Sequence, residues 1–202
     1  MLPLVDLPAG SIALRDDRLG TRWQVSLAAF RLGRYPVVGA DDVPLTGISW
    51  YDAVALCNKL SAEDGLPAAY VIDGEEVTWS SSSPGYRLPT EAEWQYACTA
   101  GVPAYRYGPV DDIAWYLGNS DGHPHRVGLK TSNDWGLHDM LGNVWEWCWD
   151  LYDPATYGAY RIFRGAGFDD PERSVGSTVR RRSHPTFAIE DLGLRIAQSI
   201  TL

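Results

Sequence analysis

The stretch YRLPTEAEWQYACTAG, residues 86–101, contains the clearest helix signal in the chain. Pro89 disfavours helix before it. Thr90, followed three residues later by Glu93, forms the pattern of a capping box. We therefore predict a short amphipathic helix that begins after Thr90, runs to about Ala100 and presents Trp94 to the core.

An earlier helix is indicated by a second capping pattern, Ser49 followed by Asp52. Apolar residues then recur at helical spacing up to Gly65. These two helices are the regular α-structure that we expect, because the remaining chain is rich in glycine and proline.

Short apolar or alternating runs bounded by proline and glycine predict strands. The expected strands are residues 4–12, 23–32, 161–164, 177–181 and 192–197, with a hairpin of residues 70–72 and 77–79. Residues 101–160 show little periodicity, and so long an irregular stretch is normally functional or held by a bound cation. The chain is thus predicted to be α+β and loop-rich, with two short helices and short antiparallel strands, in one domain spanning residues 1–202.

The amino-acid composition limits the classes of function that the chain can have. A net charge of -9 argues against a nucleic-acid partner, which calls for a basic surface. The short run Arg180–Arg182 is expected on a strand whose arginines pair with carboxylates. Nine Trp and eleven Tyr beside twenty Gly indicate aromatic side chains that bridge irregular backbone.

The N-terminal MLPLVDLPAG has neither a basic leader nor a long apolar stretch, so we expect a cytoplasmic protein with no membrane partner. The three cysteines are Cys57, Cys98 and Cys148. They show no CxxC spacing and lie in apolar surroundings, so they are expected to be buried and free.

Three segments in order resemble the formylglycine-generating-enzyme and sulfatase-modifying-factor family: VPLTGISWYDAVALCNKL (43–60), YRLPTEAEWQYACTAG (86–101) and NDWGLHDMLGNVWEWCWD (133–150). FRGAGF (163–168) and LGLRIA (192–197) complete the resemblance. The family resemblance implies an irregular C-type-lectin-like fold.

The third segment combines glycine turns with carboxylates, a mixture of ligands that suits calcium. The resemblance implies a structural calcium held by the side chains of Asp139 and Glu146 and the carbonyls of Gly142 and Val144. The alternative is that both carboxylates only accept hydrogen bonds. A second family calcium site would lie near Asn119, where the loop of this chain is short.

Catalytic members of the family bind copper through two cysteines five residues apart, and soft thiolates suit Cu(I). The aligned positions here are Asp170 and Val175, so the resemblance does not extend to a formylglycine-forming oxidase. The region between Tyr35 and Ile48 is also shorter than in the family.

Two other clusters could bind metal. His123 and His125, completed by Asp121 or His184, could hold a transition metal, although a solvated loop with two exposed imidazoles is the favoured interpretation. Asp169, Asp170 and Glu172 could bind a cation or a basic ligand, or form a solvated turn.

Two functions remain open. The first is a ligand-binding or display module for a small molecule, protein or peptide. Its recognition surface would lie on residues 168–182 and include Phe168, Asp169, Asp170, Glu172, Arg180 and Arg182. The second is a metal-dependent oxidoreductase or tailoring enzyme acting on a small molecule. Its candidate catalytic residues are Tyr160, Asp170, Arg182 and His184.

Overall fold

The computed structural model describes residues 2–200 and has twelve strands and four α-helices within that range. The strands are β1 Leu4–Leu7, β2 Gly10–Asp16, β3 Thr21–Leu27, β4 Phe30–Gly33, β5 Tyr70–Asp73, β6 Glu76–Trp79, β7 Tyr86–Arg87, β8 Trp145–Leu151, β9 Arg161–Arg164, β10 Arg180–Ser183, β11 Leu192–Leu194 and β12 Ala197–Ser199. The helices are α1 Trp50–Glu63, α2 Glu91–Thr99, α3 Val110–Ile113 and α4 Pro154–Tyr157.

The strands form two four-stranded sheets and two hairpins. One sheet has the order β1-β4-β12-β7, and the other has the order β10-β9-β8-β11. All pairs are antiparallel except β11 with β8, which is parallel. The hairpins are β2-β3 and β5-β6. The α+β class and the predominance of short strands are confirmed.

Helix α2 lies at the centre of the molecule, and all nine of its residues are buried. Thr90 accepts a hydrogen bond from the Glu93 amide, and Glu93 accepts one from the Thr90 amide, so the predicted capping box is confirmed. The prediction of an amphipathic helix is wrong. Its polar side chains are buried because arginines of the surrounding strands bind them, among them Arg164 of β9.

Helix α1 begins where it was predicted. Ser49 accepts a hydrogen bond from the Asp52 amide. The Asp52 carboxylate accepts from the Ser49 hydroxyl at 2.5 Å, so this cap has one bond to the backbone. The two one-turn helices α3 and α4 were not predicted. Both lie in the tract expected to be irregular.

Four strand predictions need correction. Residues 192–197 are divided between β11 and β12, which lie in different sheets. Residues 4–12 and 23–32 are each divided between two strands, because the chain turns between β1 and β2 and between β3 and β4. Strand β10 begins at Arg180, three residues later than predicted, because Ser177 is held in a loop by bonds to Ala104 and Tyr105. Strand β8 was missed, although it lies inside the second sheet.

The three cysteines are buried and free, as predicted. Within residues 2–200, no helix combines the length and apolar character that crossing a membrane requires.

Candidate functional site

Asp170 is buried beneath the turn at residues 164–168. Its Oδ2 accepts hydrogen bonds from Trp145 Nε1 at 2.6 Å and from the Gly167 amide at 3.0 Å. Its Oδ1 accepts from Arg181 Nη2 at 2.8 Å. The Arg181 guanidinium also covers the Trp145 ring, with Cζ 4.7 Å from the ring centre. The carboxylate is therefore fully engaged in holding the loop, the indole and strand β10 together.

Val175, the second position aligned with a family cysteine, is fully buried in the hydrophobic core. Its carbonyl accepts a hydrogen bond from Arg106 Nε at 2.8 Å. Both aligned positions are thus filled by side chains with structural contacts, and neither offers a thiolate.

Asp191 lies beside this cluster. Its Oδ1 is buried and has no hydrogen-bond partner within the described residues. Burial, reinforced by the nearby negative charge of Asp170, raises the pKa of Asp191 to about 6. Ionisation of this carboxyl group therefore costs more free energy than ionisation of an aspartate in water.

Strand β10 separates the candidate catalytic residues. Successive side chains of a strand point to opposite faces, so Arg181 faces Asp170 while Arg180 and Arg182 face the other way. Arg182 Nη2 donates to the Tyr157 hydroxyl at 2.7 Å. The structure therefore places Asp170 and Arg182 on opposite sides of the strand and does not bring them into one site.

Tyr160 and His184 lie on the Arg182 side. The Tyr160 ring is 5.7 Å from Tyr157 and 6.0 Å from His184 between ring centres. Tyr160 and Arg182 are thus neighbours of Tyr157, and His184 is a neighbour of Tyr160, whereas Asp170 lies on the other side of the strand.

The predicted recognition surface on residues 168–182 also changes. Phe168 is buried, and its amide bonds the Asn143 carbonyl. Asp170 is buried as described, so neither side chain is available at the surface. Asp169 and Glu172 are exposed, and Glu172 pairs with Arg106 at 2.9 Å.

A cleft of about 400 Å³ opens on the face of β10 that carries Arg180 and Arg182. We call it the arginine cleft. It is lined by Arg15, Asp16, Asp17, Arg18, Tyr105, Tyr152, Thr178, Val179, Arg180 and Arg182. Tyr152 is central, because the guanidiniums of Arg180 and Arg182 lie 4.6 and 4.4 Å from its ring centre.

A second cleft of about 540 Å³ lies elsewhere, and its lining includes Tyr35, Pro36, Val37 and Leu129. It is mostly apolar. Nothing in its lining indicates which molecule would cover it.

The predicted calcium ligands lie in the core beside Arg195. Glu146 accepts hydrogen bonds from Arg195 Nη2 at 2.8 Å and from Trp94 Nε1 at 2.7 Å. Glu146 and Arg195 are both fully buried. Burial raises the pKa of the Glu146 carboxyl group, although Arg195 opposes that shift. Arg195 thus balances the charge of Glu146.

Asp139 is the second buried carboxylate of this region. Its Oδ2 accepts from the Gly128 amide at 2.7 Å, and burial raises its pKa. Among residues 2–200, no hydrogen bond reaches the carbonyl oxygens of Gly142 and Val144. These groups fit a hard cation, with two carbonyls and one carboxylate still able to bind, whereas Glu146 shares its carboxylate with Arg195.

The histidines of the other predicted metal cluster have different contacts. His125 stacks on Trp115 with ring centres 3.8 Å apart, and its Nε2 lies 2.8 Å from the Ser120 carbonyl. His123 is exposed beside it. No group of three or more His, Cys, Asp or Glu side chains in the described part of the chain is arranged to hold a metal.

Asn119, predicted near a second calcium, caps a local turn. Its Oδ1 accepts from the Tyr116 amide at 2.9 Å, and its Nδ2 donates to the Ala114 carbonyl at 3.1 Å.

Sequence reasoning missed Arg195 and the tyrosines of the arginine cleft. A single arginine inside the apolar run LGLRIA is the signal that could have revealed Arg195, because a charged residue in a buried strand needs a partner. Nothing local pairs Tyr152 with Arg182, since thirty residues separate them.

Comparison with known proteins gives a family match over most of the chain. The model of the sulfatase-modifying factor enzyme 1-like domain matches residues 20–200. The chain is 28% identical to a chaperone protein LppX of Paenibacillus barcinonensis, with 87% of this chain and 82% of the relative covered.

Two enzyme-named relatives are equally similar. The formylglycine-generating enzyme of Streptomyces coelicolor is 28% identical, covering 84% of this chain and 57% of the relative. The inactive C-alpha-formylglycine-generating enzyme 2 of Mus musculus is also 28% identical, covering 78% and 50%. The chain therefore spans about half the length of these two relatives.

Among solved structures, Treponema denticola variable protein 1 superimposes with a TM-score of 0.86 at 26% identity. The match covers 96% of this chain and 94% of that one.

Proposed function

The chain belongs to the sulfatase-modifying factor enzyme 1-like domain family, and we propose that it serves in that family as a non-catalytic, ligand-binding module. The observation that carries this proposal is the state of the two aligned cysteine positions. Asp170 is committed to Trp145 and Arg181, and Val175 is packed in the core. Neither can supply the soft thiolate that Cu(I) prefers.

The relatives are compatible with this proposal. One is named an inactive enzyme and another a variable protein, whereas a relative of the same 28% identity is named a formylglycine-generating enzyme. Similarity to the family is therefore not an argument for oxidase activity in this chain. Fold alone does not assign function, so the proposal rests on the residues.

The ligand-binding surface that we propose is narrower than the sequence suggested. It is the arginine cleft with Arg180 and Arg182, and excludes the buried Phe168 and Asp170. Exposed Asp169 and Glu172 lie outside the lining of the cleft. A small molecule or a side chain of a peptide fits a volume of about 400 Å³.

The enzyme alternative lacks a supporting observation. Its candidates Asp170 and Arg182 lie on opposite faces of β10, and His184 has Thr186 and Tyr160 as neighbours. The four candidates therefore do not meet in one catalytic site.

We further propose that calcium binds at Asp139, Gly142 and Val144, with Glu146 contributing the carboxylate that it shares with Arg195. The two buried carboxylates of Asp139 and Glu146 face one arginine, Arg195, which leaves one negative charge without a partner. The carbonyls of Gly142 and Val144 accept no hydrogen bond among residues 2–200, and together these features support a bound cation. The bound ion would tie the glycine turn at Gly142 to strand β8 and so stabilise the scaffold.

The calcium proposal is tested by melting temperature in calcium and in EDTA. Calcium at about 100 times its Kd adds about 2.7 kcal/mol of stability. The Asp139→Asn variant should lose this response, whereas Asp134→Asn, at a nearby exposed position, should keep it. A response that Asp139→Asn retains in full would refute the site.

The function is tested with two measurements on the wild-type protein. Added to a cysteine-containing peptide with copper and oxygen, the protein should cause no oxygen uptake above that of the same mixture without protein, because copper alone oxidises thiols. A panel of short peptides and small organic molecules should give amide chemical-shift changes concentrated on the arginine cleft. Oxygen uptake that depends on the protein, or shift changes that leave the cleft untouched, would contradict the proposal.

A further inference from the structure

The arginine cleft gathers four of the chain's seventeen basic residues in a protein of net charge -9. Whether each guanidinium is already paired decides how much positive charge the cleft offers to a ligand. A guanidinium already paired with a carboxylate offers little charge to a ligand, whereas an unpaired one attracts anions.

Three of the four arginines are paired. Arg180 binds Glu91 at 2.7 Å and Asp16 at 2.8 Å. Arg18 lies 3.4 Å from Asp153. Arg15 lies 3.3 Å from Asp17, whose side chain is 73% exposed, so that pair is weak.

Arg182 is different. No salt bridge to Arg182 is present among residues 2–200, and within this range its guanidinium donates one hydrogen bond, from Nη2 to the Tyr157 hydroxyl. Its guanidinium lies against two adjoining rings, with Cζ 4.4 Å from the centre of Tyr152 and 4.1 Å from that of Tyr157. Because a guanidinium has five N–H donors, most of those of Arg182 are available.

Arg15 supplies a second unused donor. Its Nε is buried and has no hydrogen-bond partner in the described part of the chain. Its Nη2 donates to the Thr178 hydroxyl at 3.2 Å. Arg15 of β2 and Arg182 of β10 both line the cleft, so two strands contribute guanidinium groups to it.

We propose that the arginine cleft binds a small organic anion, whose carboxylate or phosphate group is held by Arg182 with support from Arg15. The contacts with Tyr152 and Tyr157 hold the Arg182 guanidinium in place, which reduces the conformational entropy lost on binding. The half-exposed ring of Tyr105 at the edge of the cleft provides an apolar surface for the body of the ligand. This proposal rests on the ligand-binding function and gives it a ligand class.

The test titrates the full chain with benzoate and phenyl phosphate, and with benzamide as the uncharged control, by NMR in 50 and 300 mM sodium chloride. Benzoate or phenyl phosphate should bind at least about tenfold more tightly than benzamide. The higher salt should weaken anion binding several-fold, because screening reduces attraction at a partly exposed site. The stronger of the two anions identifies the acid group.

The decisive variant is Arg182→Gln, which removes the unpaired charge. It should weaken anion binding about tenfold or more. The control is Arg31→Gln, since Arg31 lies on strand β4 and pairs with Asp6 outside the cleft. A thermal melt confirms that both variants fold.

Equal binding of benzoate and benzamide, or anion affinity that survives Arg182→Gln, would overturn the proposal. Anion binding measured without oxygen or copper is independent of turnover. Oxidation of a cysteine peptide would therefore refute the non-catalytic function while leaving the anion site standing, and the two failures are distinguishable.

Discussion

The Asp170 carboxylate and the Trp145 indole are joined by a hydrogen bond of 2.6 Å, at the position where catalytic family members are expected to carry their first cysteine. The bond is buried. Arg181 and the Gly167 amide donate two further hydrogen bonds to the same carboxylate. The position that would hold a metal ligand is instead a structural link between loop and sheet.

Asp170→Ala should lower the free energy of unfolding by about 2–4 kcal/mol, because it leaves a buried indole N–H unsatisfied. The neighbouring Asp169→Ala is the matched control and should change it by less than about 0.5 kcal/mol, since Asp169 is exposed. Urea denaturation measures both. Equal effects of the two variants would show that Asp170 has no structural role.

Arg195→Leu should lower the free energy of unfolding by about 3–5 kcal/mol, because it leaves the buried Glu146 carboxylate without its ion-pair partner. Lys59→Met removes one partner of the exposed Lys59–Glu63 pair and should cost less than about 1 kcal/mol. Chemical denaturation of the two variants at neutral pH compares a buried with an exposed ion pair. A cost below about 1 kcal/mol for Arg195→Leu would contradict the buried pairing.

Asp191 gives a pH dependence with a defined sign. Its pKa is raised to about 6 in the folded chain and is about 3.9 in the unfolded chain, so the native state binds more protons between those values. Its contribution to stability therefore falls as pH rises from about 4 to about 6.

Asp191→Asn should remove the fall in stability between about pH 4 and about pH 6. At pH 7 the variant should be more stable than the wild type by about 1 kcal/mol, a value reduced for the partial exposure of the group. Asp150, whose pKa burial also raises to about 6, titrates in the same range. The measurement is thus the difference between wild type and variant in denaturation midpoint from pH 4 to 7. A constant difference would refute the assignment.

Gly142 has a φ of +75°, and a Cβ there would lie 2.3 Å from the Trp115 carbonyl oxygen. Gly142→Ala should therefore lower the free energy of unfolding by more than about 3 kcal/mol, because of backbone strain and a clash with the backbone of Trp115. Gly74→Ala is the control, because its φ is +59° with open space around it, and it should cost about 1 kcal/mol. Comparable losses in thermal melts would show that the close approach at Gly142 is unimportant.

The helices and the family were accessible from the sequence because capping and turn chemistry are local. The Thr90–Glu93 capping box and the Ser49 cap are set by residues three apart. Strand β8 was not accessible, because WEWCW is buried almost continuously and so lacks the alternation that marks a half-exposed strand.

The candidate site was accessible only in part, since its contacts join distant segments. The loss of the cysteine pair could be read at Asp170 and Val175, but the Trp145 bond to Asp170 spans 25 residues and was not foreseen. Arg182 was named as a candidate, yet its separation from Asp170 follows from strand alternation, which requires the bounds of β10.

The central claim is that the aligned cysteine positions have become structural and hold no copper. The most direct measurement is an anaerobic competition titration of the wild-type protein with Cu(I) and a coloured Cu(I) chelator, followed by oxygen exposure with a cysteine peptide. We predict that the chelator keeps the copper and that the peptide, after reduction of any disulfide, contains no formylglycine. One Cu(I) retained per chain, with conversion of the peptide cysteine to formylglycine, would contradict the account.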